Sequence, residues 1–182
     1  AVIGASTQPG KLGYTVVENL VQGGFMRRGK IYPINPKADE ILGQKAYPSV
    51  MEVPGEIDLA VLVIPYPFVP EAIRQCGEKS IPAAIVITAG FREAGMQGLE
   101  RERELLQIAK QYNIRLVGPN CLGVIDTFTP MNASFSAGTP PAGPMAFMSQ
   151  SGALGTAVLD WALAGRLGLS KFVSLGNKAD VD

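Results

Sequence analysis

Short apolar runs of strand length alternate with amphipathic segments along most of the chain. In order, the runs are AVIG (1–4), KIYPIN (30–35), LAVLVIP (59–65), AAIVITAG (83–90) and RLVGP (115–119). This alternation predicts a parallel sheet whose strands are joined by crossover helices, an α/β fold. LAVLVI and AAIVI are apolar at consecutive positions, which is typical of central strands that helices cover on both faces. We therefore expect a doubly wound sheet with these two runs at its centre.

Two segments carry helical patterns. The clearest is LERERELLQIAKQY, Leu99–Tyr112, whose apolar positions can face the sheet while its charges face water. The sequence also predicts an earlier helix over about Leu12–Val21, ending at Gly23 and Gly24, where glycine can supply the left-handed cap of a helix end.

The segment TFTPMNASFSAGTPPAGP, residues 127–144, is rich in Pro, Gly, Ser and Thr, and its composition predicts a linker. After it, MAFMSQSGALGTAVLDWALAG repeats the opening pattern of strand, small-residue loop and helix, and KFVSL predicts the next strand. We therefore predict a first domain over residues 1–127, a linker over 128–143, and the truncated start of a second domain over 144–182. Both ends of the chain lie within or just after apolar runs, which predicts a piece of a longer protein.

Composition narrows the function classes. The chain has 182 residues with 16 Lys plus Arg against 16 Asp plus Glu, so no excess charge favours nucleic acid or an anionic membrane surface. Its two cysteines, Cys76 and Cys121, have no C-x-x-C spacing, and no run of about eighteen apolar residues occurs. These features predict a cytoplasmic protein without membrane spans. The chain contains no histidine, which excludes Cys-His and Ser-His nucleophile pairs within it.

Ligands of open parallel sheets lie beyond the carboxyl ends of the strands, so the loops there carry the candidate chemistry. The first loop, GASTQPGKLG, residues 4–13, has the composition of a phosphate cradle at a helix N-terminus. It departs from the P-loop, because five residues separate Gly4 from Gly10 and Leu12 stands where Ser or Thr would bind magnesium. It also departs from G-x-G-x-x-G, because Ser6 holds the place of the second glycine. A phosphate cradle and a plain strand-to-helix turn both remain open.

The ends of the second and third strands add two further candidates. The second strand ends in INPK, so Lys37 stands where NAD enzymes usually carry an acid. A lysine suits an additional phosphate on the adenosine ribose, which both NADP and coenzyme A (CoA) carry, and a surface lysine in a turn is the alternative. The third strand ends in VIPYPF, where the prolines around Tyr66 predict either a rigid wall for a ligand or only the end of a strand.

Seven motifs occur in a fixed order: GASTQPGKLG, INPK, VIPYPF, ITAGF, GPNCLG, MSQSGALG and SLGNKADVD. The set resembles the ADP-forming acyl-CoA synthetases and is similar to the α subunit of succinyl-CoA synthetase. The resemblance implies a CoA-binding Rossmann-like domain followed by a flavodoxin-like domain, with a grasp-type nucleotide domain elsewhere in the polypeptide or on a β subunit. It also implies the reaction of acyl-CoA, ADP and phosphate to give acid, CoA and ATP through a phosphohistidine that this chain does not contain.

The resemblance assigns site residues by position. It places CoA phosphate contacts on Ser6, Gly10, Lys11, Leu12 and Gly13, and Lys37 near the adenosine. It places Pro65, Tyr66, Pro67, Thr88, Ala89 and Gly90 along the nucleotide and pantetheine path, and Asn120 and Cys121 at the thiol end. Ser149, Gln150, Ser151 and Gly152 correspond to the site that meets the phosphohistidine. The reacting thiol then belongs to the coenzyme, and Cys121 packs as a small buried side chain.

The resemblance further implies ADP or ATP with magnesium bound by domains outside this chain, a small carboxylic acid substrate and an oligomer. TAG in place of TEG, and GPNCLG in place of GPNCPG, favour the acetate-type or broader acyl-CoA group over the succinate enzyme. The alternatives are a non-catalytic module that senses CoA or a dinucleotide, and the CoA-ligase-like region of a protein lysine acetyltransferase. Gly176, Asn177 and Asp180 match a family motif whose role the sequence does not reveal.

Overall fold

The computed structural model describes residues 1–165 and 167–181, and these form four α-helices and eleven β-strands. The strands are β1 (Val2–Ile3), β2 (Pro33–Ile34), β3 (Glu40–Ile41), β4 (Gln44–Lys45), β5 (Ala60–Leu62), β6 (Ala83–Val86), β7 (Arg115–Val117), β8 (Gly123–Asp126), β9 (Met131–Ser134), β10 (Ala142–Ser149) and β11 (Leu169–Ser174). The helices are α1 (Leu12–Gln22), α2 (Val69–Glu78), α3 (Met96–Gln111) and α4 (Gly152–Gly165).

The first sheet is parallel throughout and has the order β2-β1-β5-β6-β7. Helix α1 packs on one face and helices α2 and α3 pack on the other. Val61 and Ile85 share a core with Val16 of α1, whereas Leu62 and Val86 share the core of the opposite face. Both faces of the central strands are therefore buried, which confirms the predicted Rossmann-like, doubly wound α/β fold.

The two helices predicted with bounds, α1 and α3, agree with the structure apart from small shifts at their ends. Helix α3 starts at Met96, three residues before the predicted Leu99, and ends at Gln111. Helix α1 ends at Gln22, and Gly24 then takes the left-handed conformation with φ of 85°. The apolar positions in the sequence thus locate α1 and α3 along the chain, while the residues at which these helices end depend on local backbone geometry.

The second sheet has the order β10-β11-β8-β9, with β10 parallel to β11 and β8 antiparallel to both of its neighbours. Its core joins Leu122 and Ile125 to Leu159 of α4 and Phe172 of β11. The runs MAFMS and KFVSL form β10 and β11, as predicted. Residues 131–134, inside the predicted linker, form strand β9 of this sheet.

Strand β9 contains buried polar side chains that hydrogen bond to one another, which explains why its sequence reads as a loop. The Ser134 hydroxyl donates to Asn132 Oδ1 at 2.6 Å, and Asn132 Nδ2 donates to the Thr139 hydroxyl at 2.8 Å. From α1, Asn19 Nδ2 donates to the Ser134 carbonyl at 2.9 Å. These bonds satisfy the polar groups of a strand that apolar periodicity does not detect.

Among the helices of residues 1–165 and 167–181, none has both the length and the apolar character needed to cross a membrane.

Candidate functional site

The loop between β1 and α1 brings the start of the helix directly against the end of the strand. Gly4 takes a positive φ of 91°, and a Cβ there would lie 2.6 Å from the Val63 carbonyl oxygen. A Cβ on Gly13, in the first turn of α1, would lie 2.0 Å from the Gly4 carbonyl oxygen. Only glycine allows this approach, so both residues hold the helix N-terminus at the carboxyl edge of the sheet.

The rest of this loop is open. Residues 7–12 are exposed, and Gly10 has φ of 84° with no atom of the described chain within 4 Å of where its Cβ would be. Lys11 is the N-cap in an extended conformation, and in the part of the chain that the structure describes no side chain caps α1 there. The first amides of a helix have no acceptor within the helix, and the helix dipole adds positive potential. The loop therefore presents free donors to an anion.

The end of β2 is tied to this loop. Asn35 Nδ2 donates to the Ala5 carbonyl at 2.8 Å, and Asn35 Oδ1 accepts from the Lys37 amide at 2.8 Å. The Lys37 side chain is exposed and lines a cavity of about 380 Å³ together with Gly4 and Ser49. A cation therefore lies at the edge of this cavity, close to the start of the open loop.

Pro65, Tyr66 and Pro67 form an exposed turn after β5, with Tyr66 starting a short 3₁₀ helix. The Arg101 guanidinium lies 4.1 Å from the centre of the Tyr66 ring. A Cβ on Gly90 would lie 2.8 Å from the same ring, so glycine is needed for the contact. The Tyr66 ring is thus held in place by the Arg101 guanidinium and the turn at Gly90, which makes it a rigid surface.

Arg101 is a residue that the sequence analysis missed. Its Nη1 donates to the Gly90 carbonyl at 3.1 Å, in addition to the contact with Tyr66. Arg101 lies in the charge run of α3, which the pattern predicts as a solvated face, and only the packing of α3 against the loop after β6 distinguishes it from the other charges of that run.

A cavity of about 560 Å³ lies between the two sheets and collects predicted residues from four loops. The predicted residues along it are Leu12, Thr88, Ala89, Asn120, Cys121, Gln150 and Gly152. The Thr88 hydroxyl donates to the Ile64 carbonyl at 2.7 Å, and the Asn120 amide donates to the Thr88 carbonyl at 3.0 Å. The cavity walls are therefore joined by hydrogen bonds, and Ile64 borders both this cavity and the one beside Lys37.

Cys121 is 5% exposed, and its thiol lies 3.4 Å from the Val86 carbonyl oxygen. Burial raises the pKa of the Cys121 thiol to about 12, so the reactive thiolate is scarce at neutral pH. The side chain packs as a small apolar group in the cavity wall.

The loop before α4 differs from the first loop because one of its serines caps the helix. In the first loop Ser6 Oγ accepts from the Gln8 amide at 3.1 Å, but no described side chain caps α1. Ser149 Oγ accepts from the Ser151 amide at 3.1 Å, and Ser151 Oγ accepts from the Leu154 amide at 3.2 Å. Gln150 is exposed and lines the cavity with Gly152. Ser151 is therefore the N-cap of α4, and Gln150 lines the same cavity as Leu12.

The predicted residues thus form three neighbouring groups. The cavity between the sheets brings together the loops after β1, β6, β7 and β10. Lys37 lies in the adjoining cavity, and the wall around Tyr66 lies beside Gly90. Ser149 and Ser151 shape the α4 loop rather than line the cavity.

Two families of domains match this chain. The CoA binding domain family matches residues 1–127, and the succinyl-CoA ligase like flavodoxin domain family matches residues 142–182.

Individual proteins are similar to the chain over all or nearly all of its length. The chain is 51% identical, over 100% of its length, to acetate–CoA ligase (ADP-forming) I of Archaeoglobus fulgidus, of which it covers 26%. It is 47% identical, over 98% of its length, to 4-hydroxybutyrate–CoA ligase (ADP-forming) of Nitrosopumilus maritimus, of which it also covers 26%. Its structure is similar to that of acetyl-coenzyme A synthetase 1 of Ca. Korarchaeum cryptofilum in complex with phosphate and ADP. This similarity has a TM-score of 0.95 and 43% identity over 100% of this chain and 39% of the other. The chain thus spans about a quarter of the curated relatives named here.

Proposed function

Because the chain belongs to the CoA-binding domain family over residues 1–127, we propose that it is the CoA-binding portion of an ADP-forming acyl-CoA synthetase. In this proposal the enzyme converts acyl-CoA, ADP and phosphate to acid, CoA and ATP, and it runs in both directions. The succinyl-CoA ligase like match from residue 142 supports the same assignment.

The observation that carries the proposal is the 560 Å³ cavity that joins the open end of α1 to the GPNC turn. Its volume lies in the range of small-molecule sites, roughly 300–1,000 Å³. Leu12, in the uncapped first turn of α1, lines this cavity together with Asn120 and Cys121. CoA has the matching polarity along its length, with an anionic nucleotide at one end and a thiol at the other.

We assign the diphosphate of CoA to the loop around Ser6 and Gly10–Gly13, where free backbone amides and Lys11 supply donors and charge. Lys37 then binds the phosphate on the ribose. The wall of Pro65, Tyr66 and Pro67 lies beside the nucleotide, together with Gly90.

The pantetheine arm, in this assignment, runs past Thr88 and Ala89 to the thiol end at Asn120 and Cys121. The high pKa of Cys121 supports its packing role, because a protonated thiol does not compete with the coenzyme as nucleophile.

We assign the loop of Ser149, Gln150, Ser151 and Gly152 to the phosphoryl group that is transferred. The N-terminus of α4 favours negative charge, and Gln150 and Gly152 line the cavity together with Leu12 of the first loop. Within this chain the phosphoryl group meets donors but no histidine, so the phosphocarrier comes from elsewhere in the enzyme.

The remaining assignments concern the whole enzyme. We propose a grasp-type domain or a β subunit that binds ADP or ATP with magnesium, an oligomeric cytoplasmic assembly and a small carboxylic acid as substrate. TAG and GPNCLG favour an acetate-type acid. The relatives include proteins named for acetate and for 4-hydroxybutyrate, so several small acids are candidates.

Calorimetric titration of the protein with CoA, 3′-dephospho-CoA and NADPH tests the proposal. We expect CoA to bind with a dissociation constant in the micromolar range, dephospho-CoA to bind more weakly and NADPH to give no measurable heat. Binding of NADPH without binding of CoA would contradict the assignment. If CoA binds but the complete gene encodes no phosphocarrier histidine, a sensing module or an acetyltransferase fusion replaces the ligase.

A further inference from the structure

The loop after β11, residues 175–181, crosses from the second sheet to the first and contacts the turn that lines the cavity. The Asn177 amide donates to the Pro119 carbonyl at 2.9 Å, and Asn177 Oδ1 accepts from Asn120 Nδ2 at 3.3 Å. A Cβ on Gly176 would lie 2.3 Å from the Pro119 carbonyl oxygen. The loop therefore packs closely on the GPNC turn, in which Asn120 has a positive φ of 56°.

The same side chain also reaches the loop after β6. Asn177 Nδ2 donates to Glu93 Oε2 at 2.6 Å and to Glu102 Oε2 at 2.8 Å. The other oxygen of Glu93 accepts from the Gly90 amide at 2.5 Å and from the Phe91 amide at 3.1 Å. One carboxylate thus connects Asn177 to the backbone that follows Thr88 and Ala89.

Arg92 completes the cluster. Its guanidinium donates to the Asn177 carbonyl, and its Nε lies 3.6 Å from Glu102 Oε1. Asn177 is 6% exposed and Glu102 is 3% exposed, so these bonds are largely shielded from water. Every polar group of Asn177 is therefore paired, and one of its partners, Asn120, lines the cavity.

The pKa of Glu93 depends in part on the amide side chain at position 177. Burial alone would raise the pKa of Glu93, but hydrogen bonds from Asn177 and from backbone amides lower it below its ordinary value. An amide nitrogen can donate to two carboxylates at once, which a carboxylate at the same position could not do.

We propose that Asn177 is a positioning residue for the CoA site. Through Glu93 it holds the loop of Thr88 to Gly90, and through Asn120 it holds the GPNC turn, so that the two walls of the cavity keep their spacing. This inference rests on the proposed function, because it concerns the same cavity. It gives the SLGNKADVD motif a role in ligand binding rather than only in folding.

The closest matched control is Asp180, in the same loop. Asp180 Oδ2 accepts from Arg115 Nε at 2.9 Å and from the Leu116 amide at 2.8 Å. These bonds also join the second sheet to the first, but they lie on β7, away from the cavity between the sheets. Loss of Asp180 loosens the same junction without touching either cavity wall.

The experiment compares CoA affinity and thermal unfolding in the unchanged protein, Asn177→Ala, Asn177→Asp and Asp180→Asn. We expect Asn177→Ala to weaken CoA binding about tenfold, within the range of coupling through packed networks. Asn177→Ala and Asp180→Asn should lower the unfolding temperature to a similar extent. Asp180→Asn should nevertheless keep CoA affinity within about twofold of that of the unchanged protein.

Asn177→Asp supplies a readout that a purely structural role does not move. The charged groups in contact with this position are Glu93, Glu102 and Arg92, so the variant brings three carboxylates to one cation. Its CoA affinity should be weakest at pH 8 and recover as the pH falls towards 5.5, because protonation of one carboxyl restores a donor. The affinity of Asn177→Ala should not change in this way.

Three results are informative. If Asn177→Ala binds CoA as well as the unchanged protein does, the inference is wrong. If Asn177→Ala and Asp180→Asn lose affinity equally, in proportion to their lost stability, the inference is also wrong. If the unchanged protein binds no CoA, the proposed function itself fails.

Discussion

The two strand-to-helix loops of this protein, residues 4–13 before α1 and residues 149–152 before α4, resemble each other in sequence but use their backbone amides differently. In the second loop Ser151 caps the helix start, and Ser149 accepts from the Ser151 amide. The first loop has a lysine at the N-cap and an open glycine at position 10. A capped helix is stable without a ligand, whereas an uncapped one offers its donors to an anion. This difference is the reason that our proposal assigns the larger anionic ligand, CoA, to the first loop.

The largest effect should come from Gly13→Ala. The added Cβ would lie 2.0 Å from the Gly4 carbonyl oxygen, so α1 must move away from the sheet. We expect a loss of about 3 kcal/mol in the free energy of unfolding, measured by urea denaturation, and loss of CoA binding.

The matched change in the other loop is Gly152→Ala, where no described atom lies within 4 Å of the new Cβ. This variant should stay within about 1 kcal/mol of the unchanged protein in the same denaturation experiment. Equal losses at Gly13 and Gly152 would remove the structural contrast between the two loops.

The next effect concerns charge beside the first loop. Lys37→Ala should weaken binding of CoA about tenfold, because a hydrogen bond between a cation and a phosphate contributes roughly 1.5 kcal/mol. Binding of 3′-dephospho-CoA should not change, since it lacks the phosphate that Lys37 meets. Lys110→Ala, an exposed lysine of α3, is the control for net charge. If Lys37→Ala weakened binding of CoA and of 3′-dephospho-CoA equally, Lys37 would contact a part of the nucleotide other than the ribose phosphate.

A smaller effect should follow from removing the cap of α4. Ser151→Ala deletes the acceptor of the Leu154 amide and should lower the free energy of unfolding by about 1 kcal/mol. Lys11→Ala, at the equivalent N-cap of α1, should change stability by less than about 0.5 kcal/mol, because its side chain does not cap the helix. Thermal denaturation of both variants measures the contrast, which disappears if their midpoints shift equally.

The smallest effect concerns the thiols. Burial raises the pKa of Cys76 and of Cys121 to about 12. At pH 8 about one thiol in ten thousand is then ionised in the folded protein, so a thiol-specific disulfide reagent should label neither cysteine. In denaturant both should react. Rapid labelling of Cys121 in the folded protein would contradict its assignment as an unreactive packing residue of the cavity.

The apolar runs predict seven of the eleven described strands. The central strands β5 and β6 give the clearest runs, because parallel strands buried on both faces must be apolar at consecutive positions. The short hairpin of β3 and β4 lacks such a run. Strand β9 was missed for a different reason, since its buried Asn132 and Ser134 bind each other instead of packing as apolar groups.

The candidate site was predictable in part. Motif order and strand ends identify the loops that surround the cavity, because parallel strands place their carboxyl ends at one edge. Arg101 and Asn177 could not be assigned roles in the same way. Their positions depend on how α3 and the loop after β11 pack against other elements, and such long-range contacts leave no local signal in the sequence.

The antiparallel pairing of β8 with β11 has a consequence for how this architecture can change. Strand β8 lies inside the stretch that matches the CoA binding domain family, yet it belongs to the second sheet. A gene cut between the two family regions would leave β11 with an unpaired edge, a template for aggregation. The two regions therefore depend on each other for this strand pairing, and we expect recombination that exchanges only one of them to disturb the second sheet.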